Sequence, residues 1–105
     1  MPFQWNIQIN LNPQSPPRVT FSPNPLPVVV RDQIFWTNND PDQPHWPGKL
    51  NDDGTIVEDF FMPNQIASGG DSSATWSPIQ DDPPTYDYAC SLHPDEKGTI
   101  NVSAS

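Results

Sequence analysis

The chain has 105 residues, about the length of one domain. Its fifteen prolines, roughly three times ordinary usage, exclude long helices because proline lacks a backbone N–H. A formal net charge of −9 disfavours binding to nucleic acid and to anionic membranes, and no stretch approaches the roughly 20 apolar residues of a membrane span. Four tryptophans, five phenylalanines and two tyrosines supply apolar area for a core. We therefore expect one all-β domain over residues 1–105.

Alternation of apolar and polar residues predicts the strands. In FQWNIQIN (3–10), Phe3, Trp5, Ile7 and Ile9 alternate with polar neighbours, which is typical of a half-buried strand. Further strands are predicted, in chain order, at RVTFS (18–22), VVV (28–30), QIFWTN (33–38), SSATWSPI (72–79), TYDYAC (85–90) and GTINVSA (98–104). Seven or eight short strands of this kind indicate a two-sheet Greek-key β-sandwich.

Three segments between these strands have a different character. PNPLP (23–27) is predicted to be extended but not continuously paired, because its prolines lack N–H groups. Residues 39–54 are rich in turn formers and are predicted to be a long polar loop. Residues 55–62 fit either a strand or a short helix.

The stretch YACSLHPDEKGTI (88–100) contains Cys90, the one cysteine of the chain, and His93, one of its two histidines. The other histidine, His45, lies in the polar loop, and loops distant in sequence meet at one end of a sandwich. One cysteine and two histidines suit copper or zinc. Two histidines and a cysteine in a trigonal set, with a weak axial group, form the blue-copper type of electron-transfer site.

Simpler interpretations of the same residues stay open at this point. A lone free cysteine is commonly a small buried hydrophobe, and a lone histidine in a polar loop is commonly just exposed. A cysteine nucleophile activated by histidine is a further alternative, although no third orienting group is evident.

Two longer segments resemble the cupredoxins, the type 1 copper proteins that include plastocyanin and amicyanin. FSPNPLPVVVRDQIFWTNNDPDQPH is similar to the family's run from F-x-P-x-x-L-x-V to the first ligand histidine, and YDYACSLHPDEKGTINV is similar to its tail, Y-x-Y-x-C-x-x-H-P-x-M-x-G-x-I-x-V. The resemblance covers residues 18–103. The matching residues are Phe21, Pro23, Leu26, Val28, Asp32, Trp36, Asn38, Tyr86, Tyr88, Cys90, His93, Pro94, Gly98, Ile100 and Val102.

The resemblance implies one mononuclear copper ion with His45, Cys90 and His93 as ligands. It implies a monomeric electron carrier, not an enzyme, that exchanges single electrons with redox partner proteins, and the acidic charge favours partners with a cationic docking surface. The chain's start, MPFQWNIQIN, lacks the features of a secretory signal, so the protein is cytoplasmic or the sequence begins at a mature end. For a cupredoxin we expect a periplasmic or extracellular location.

Three positions depart from the family pattern. Glu96 occupies the place of the axial methionine found in amicyanin, while Met1 and Met62 lie outside the motif. Trp46 follows the first histidine, where asparagine or threonine is common, and Arg31 replaces a glycine.

Glu96 is the departure with chemical consequences. A carboxylate is harder than a thioether and anionic, so as an axial ligand it would stabilise Cu(II) over Cu(I) and lower the reduction potential. In the alternative, Glu96 faces solvent, and the copper is three-coordinate or is reached by the carbonyl of Pro44.

The resemblance also suggests supporting roles. The N–H of Leu92 is a candidate donor to the Cys90 sulfur, and Asn38 or Asn39 is a candidate brace between the ligand loops. Trp46 is expected either to shield the copper or to serve as an exposed docking aromatic.

Other functions remain as alternatives at this level. One is a copper-binding module for storage, delivery or sensing. Another is a cupredoxin-like domain for protein interaction without redox shuttling. A small oxidase or reductase is a further alternative if Glu96 leaves a coordination position open.

Overall fold

Eight strands make up the regular structure of the described part of the chain. The computed structural model describes residues 3–72, 74–81 and 83–104. The strands are β1 (Gln4–Leu11), β2 (Val19–Ser22), β3 (Leu26–Val29), β4 (Gln33–Asn38), β5 (Pro47–Leu50), β6 (Ile56–Val57), β7 (Thr85–Cys90) and β8 (Lys97–Ser103).

The strands form two mixed sheets. The smaller sheet has the order β2-β1-β4, and the larger has the order β3-β8-β7-β5-β6. The pairs β1–β4 and β3–β8 are parallel, and the other neighbours are antiparallel. The predicted all-β, two-sheet sandwich is thereby confirmed.

The core lies between the two sheets and follows the period-2 pattern of the strands. Ile7 and Ile9 of β1 are fully buried. Phe3, predicted as the first apolar residue of the same strand, lies outside β1 and is 68% exposed. In the larger sheet, Gly98 faces Tyr88 across the β7–β8 pair. A Cβ at Gly98 would lie 2.2 Å from the Cζ atom of Tyr88, so only glycine leaves room for this buried ring.

The turn between β3 and β4 contains an exposed residue in the left-handed region and a buried carboxylate. Arg31 has a φ of 78°. Asp32 accepts backbone N–H groups from Phe3 and Val29 and the indole N–H of Trp5, at 2.9 to 3.0 Å. Asp32 therefore ties the start of the chain to the end of β3.

The prediction of an uninterrupted loop over 39–54 is wrong, because β5 (Pro47–Leu50) lies inside it. Its Pro-Gly start is typical of a turn. In the folded chain Gly48 is needed for close approach, since a Cβ there would lie 2.6 Å from the carbonyl oxygen of Val57 next to it in the sheet. Strand pairing therefore overrides local turn propensity here.

Two other segments contain less strand than predicted. The described part of 72–79 forms no strand; Trp76 makes an isolated antiparallel bridge to Ile34, and residue 73 lies outside the described residues. In 55–62 only Ile56–Val57 is a strand. The extended segment 23–27 runs into β3, where Pro27 is accommodated because β3 is an edge strand. Within the described residues, no helix is long and apolar enough to span a membrane.

Replacing Arg31 with glycine is expected to stabilise the fold. Arg31→Gly removes the steric cost of a Cβ at positive φ, but glycine also gains entropy in the unfolded chain. The net gain in unfolding free energy is about 1 kcal/mol. Thermal unfolding should show a Tm higher by about 4 °C or more. Arg31→Ala is the control, because it removes the same exposed side chain but keeps the Cβ. An equal gain in both variants would show that the side chain, not the backbone, is responsible.

Asp32 is expected to stabilise the protein in a pH-dependent way. Burial by itself would raise the pKa of Asp32, but the N–H donors around the carboxylate lower it below its usual range. The stabilisation is therefore present above the unfolded pKa of about 3.9 and is lost as pH falls through the lower folded pKa. Asp32→Asn should cost about 1–3 kcal/mol of unfolding free energy at pH 7.

Urea unfolding at neutral and acidic pH measures this effect. The difference in unfolding free energy between wild type and Asp32→Asn should narrow below about pH 4, where Asp32 of the unfolded chain takes up a proton while the folded carboxylate is still ionised. The exposed Asp59→Asn variant, which removes the same charge, should match the wild type at every pH. A difference that stayed constant with pH would contradict the assignment.

Candidate metal centre

Two neighbouring strands bring the sequence-predicted residues together. His45 lies two residues before β5, and Cys90 is the last residue of β7. The β5–β7 pairing places Pro47 opposite Cys90, so the residues just before β5 lie beside the end of β7. His45 is held on its other side by a backbone bridge to Ile66, with N–H to carbonyl distances of 3.1 and 2.8 Å.

The remaining two residues lie in the turn between β7 and β8. The N–H of His93 donates to the carbonyl of Cys90 at 3.2 Å, and the N–H of Glu96 donates to the carbonyl of His93 at 3.0 Å. The N–H of Cys90 donates back to the carbonyl of Glu96 at 2.9 Å and closes the turn. Cys90, His93 and Glu96 thus belong to one short loop that is closed by its own backbone hydrogen bonds.

The four side chains form one cluster of donor atoms. Their ligand atoms all lie within 4.8 Å of one another. Cys90 Sγ is 3.7 Å from His45 Nδ1 and 3.6 Å from His93 Nδ1. Glu96 Oε1 is 3.0 Å from His45 Nδ1 and 3.4 Å from His93 Nδ1. The structure therefore brings together His45, Cys90, His93 and Glu96, the four residues proposed from the sequence.

Burial distinguishes the members of this cluster. The side chains of His45 and Cys90 are fully buried, and Glu96 is 1% exposed. The alternative in which Glu96 faces solvent is therefore wrong. His93 is the member that reaches the surface, with 29% of its side chain exposed.

The donor set fits a metal cation. Glu96 Oε2 is buried and has no hydrogen-bond partner, which is costly for a carboxylate oxygen unless a cation or donor faces it. Burial by itself would lower the pKa of His45, but its hydrogen bonds to the thiol and two carboxylates around it raise that pKa to about 10. The cluster thus favours positive charge at its centre, and its sulfur and imidazole donors suit copper.

The sulfur of Cys90 accepts a hydrogen bond from the backbone of the opposite loop. Among the described residues, its backbone donor is the N–H of Trp46 at 3.3 Å, not that of Leu92 as the sequence suggested. The Trp46 carbonyl in turn accepts the N–H and the hydroxyl of Ser91, at 2.8 and 3.0 Å. These bonds fix the two ligand loops against each other.

Asn38 supplies the second brace. Its amide donates to the carbonyls of Gln43, Ile66 and Ala67 at 2.9 to 3.3 Å, and its side-chain oxygen accepts the N–H of Asp40. Of the two asparagines proposed from the sequence, Asn38 thus holds the loop that carries His45. Asn39 instead binds side chains of β1.

The side chain of Trp46 packs against the core, so it is not a fully exposed aromatic. It is half-buried against the core, and its indole N–H donates to the carbonyl of Met62 at 3.3 Å. Met62 is itself buried in the core, and Met1 lies outside the described residues.

Sequence reasoning missed a buried carboxylate behind His45, which a partly exposed arginine neutralises. Asp40 is fully buried, and its Oδ2 lies 2.9 Å from His45 Nε2 and 2.7 Å from Arg18 Nε. The hydrogen bonds from the Arg18 guanidinium hold the pKa of Asp40 far below its usual range. The only sequence signal was Asn-Asn-Asp-Pro, which reads equally well as a turn.

Comparisons with known proteins identify the fold. No family model matches the chain, and no curated protein matches it. A solved purple cupredoxin from Nitrosopumilus maritimus is similar with a TM-score of 0.76 and 24% identity, over 93% of this chain and 98% of that one. An amicyanin variant in its Cu(I) form is similar with a TM-score of 0.63 and 20% identity, over 93% of this chain and 82% of that one.

A larger enzyme contains the same fold as one part. A copper-containing nitrite reductase from Thermus scotoductus is similar with a TM-score of 0.64 and 18% identity, over the whole of this chain but 23% of its own length. Sequence identities this low establish architecture. The eight strands, the two mixed sheets and these likenesses together show that the chain has the cupredoxin fold.

Proposed function

We propose that the clustered side chains bind one copper ion and that the protein carries single electrons between partner proteins. The proposed ligands are His45, Cys90, His93 and Glu96. The observation that carries the proposal is that the ligand atoms of these four side chains lie within 4.8 Å of one another. In addition, the Oε2 atom of Glu96 is buried and has no hydrogen-bond partner. Copper, when bound, supplies the one-electron couple between Cu(II) and Cu(I).

The protein's contribution is a set of donors held in place before the metal arrives. His45 and Trp46 are fixed by backbone hydrogen bonds to Ile66 and Ser91, and the β7–β8 turn is closed by its own backbone. Preorganised donors change little between oxidation states, which favours rapid electron exchange. Four protein donors also leave no evident place for a substrate, which supports a carrier over an enzyme.

The surface beside His93 is the proposed place of electron exchange. His93 is partly exposed, Leu92 is 42% exposed, and Pro94 is exposed next to it. An apolar rim around an imidazole edge lets a partner approach closely without desolvating charge. Away from this rim, the net charge of −9 supports partners with a cationic docking surface.

The remaining parts of the proposal concern organisation. We propose that residues 1–105 form one domain that works as a monomer. A periplasmic or extracellular location is proposed because it suits the cupredoxins that the fold resembles.

Copper loading is expected to produce a visible Cu(II)–thiolate absorption band that depends on Cys90. Titration of the protein with Cu(II) should saturate at one equivalent, and Cys90→Ser should lose the intense band because a hydroxyl is a poor soft ligand. Ser22→Ala, at an exposed position of β2, should retain the band. Copper binding without a reversible voltammetric wave would contradict electron carriage and favour a storage or delivery role.

Replacing Glu96 with methionine is expected to raise the reduction potential. A thioether does not share the carboxylate's preference for Cu(II), so Glu96→Met should favour Cu(I) at least tenfold relative to wild type, or about 59 mV for one electron. Protein-film voltammetry measures this shift, and the optical spectrum should change with it. Asp95→Asn, which removes an exposed charge one residue away, is the control. Equal reduction potentials in Glu96→Met and wild type would contradict the assignment of Glu96 as a ligand.

A further inference from the structure

The ring of His45 is held from both sides by buried groups. Its Nδ1 faces the donor cluster, 3.0 Å from Glu96 Oε1 and 3.7 Å from Cys90 Sγ. Its Nε2 faces away from the cluster and lies 2.9 Å from Asp40 Oδ2. When a metal ion displaces the proton from Nδ1, an Nε2–H donated to Asp40 keeps the Nδ1 lone pair directed into the cluster, which is the form that a metal ligand requires.

Asp40 is itself fixed in place by several donors. Its carboxylate accepts the N–H groups of Asp42 and Gln43 at 2.9 and 3.3 Å. Its own N–H donates to Asn38, the residue that braces the His45 loop. Asp40 is thus a rigid acceptor, and its side chain is fully buried.

Arg18 neutralises this buried carboxylate from the direction of β2. Its Nε lies 2.7 Å from Asp40 Oδ2, and one of its terminal nitrogens lies 2.9 Å from Oδ1, so the pair is bidentate. Arg18 is 36% exposed, and the same terminal group lies 3.5 Å from the exposed Asp42. A continuous line of contacts therefore runs from solvent through Arg18 and Asp40 to His45.

We propose that Asp40 and Arg18 are positioning residues that orient His45 and set the reduction potential of the metal centre with opposite signs. This inference rests on the proposed copper function. A carboxylate that accepts the Nε2–H makes the imidazole a stronger donor and stabilises the more highly charged Cu(II). Arg18 draws charge from that carboxylate and moderates the effect.

The two residues are expected to shift the potential in opposite directions. Asp40→Asn keeps the shape but removes the negative charge, so it should favour Cu(I) about tenfold, a rise of about 59 mV for one electron. Arg18→Gln removes the moderating cation and should favour Cu(II) about threefold, which lowers the potential. Arg18→Lys, which keeps the charge, should lie close to wild type.

Asp42→Asn is the matched control for surface charge. It removes the same unit of charge two residues from Asp40, near the same guanidinium, but its carboxylate is 76% exposed and does not contact His45. The reduction potential of Asp42→Asn should stay at the wild-type value. An Asp42→Asn shift equal to that of Asp40→Asn would mean that general electrostatics, not the His45 contact, sets the potential.

A second measurement tests the orientation of His45 without copper. In the metal-free protein, proton–nitrogen NMR should show a slowly exchanging Nε2–H on His45 in the wild type and faster exchange in Asp40→Asn. If Asp40→Asn folds poorly, exchange of the His45 Nε2–H can be compared between Arg18→Lys and Arg18→Gln instead.

The outcomes separate the two proposals. A wild-type protein with no reversible copper couple would overturn the proposed function and the tuning role together. A wild-type couple with unchanged potentials in Asp40→Asn and Arg18→Gln would overturn the tuning role alone. Potential shifts of the same sign in both variants would also overturn the tuning role. Such shifts are expected from a structural disturbance, which does not depend on the sign of the charge removed. Opposite shifts with an unmoved Asp42→Asn support it.

Discussion

The pairing of β5 with β7 is the constraint on which the metal centre depends. It sets Pro47 opposite Cys90, and it thereby brings Trp46, 44 residues earlier in the chain, close enough to donate its N–H to the Cys90 sulfur. The same register lets Ser91 bind the Trp46 carbonyl. Because these contacts use the main chain, the sheet holds the donors in position, and a shift of register would break the contacts.

Charge around His45 follows from this placement. Two buried carboxylates, Asp40 and Glu96, face opposite nitrogens of one imidazole ring. Buried carboxylates are stable only when cations or donors satisfy them. Arg18 does this for Asp40, whereas one oxygen of Glu96 has no partner. On the Asp40 side of His45, the buried negative charge is already neutralised by Arg18. On the Cys90 side, the carboxylate of Glu96 leaves a place suited to a cation.

The short-range features were predictable, and the long-range features were not. Cys90 and His93 are three residues apart, and backbone bonds between Cys90, His93 and Glu96 close the turn that carries all three. Alternation in β1 and β7 predicted the strands that pack the core. By contrast, β5 begins with Pro47 and Gly48, whose local preference is for turns, and only its neighbours in the sheet make it a strand.

The sequence by itself determined the sandwich class, the ligand turn and the residue types that suit copper, because these depend on side-chain period and on close spacing along the chain. Only the tertiary structure decided that Glu96 is buried in the cluster, that Trp46 supplies the donor to sulfur, and that Asp40 links His45 to Arg18. The physical reason is that each of these outcomes depends on which groups face one another across loops and sheets. That choice is made by register and burial and leaves no local pattern in the chain.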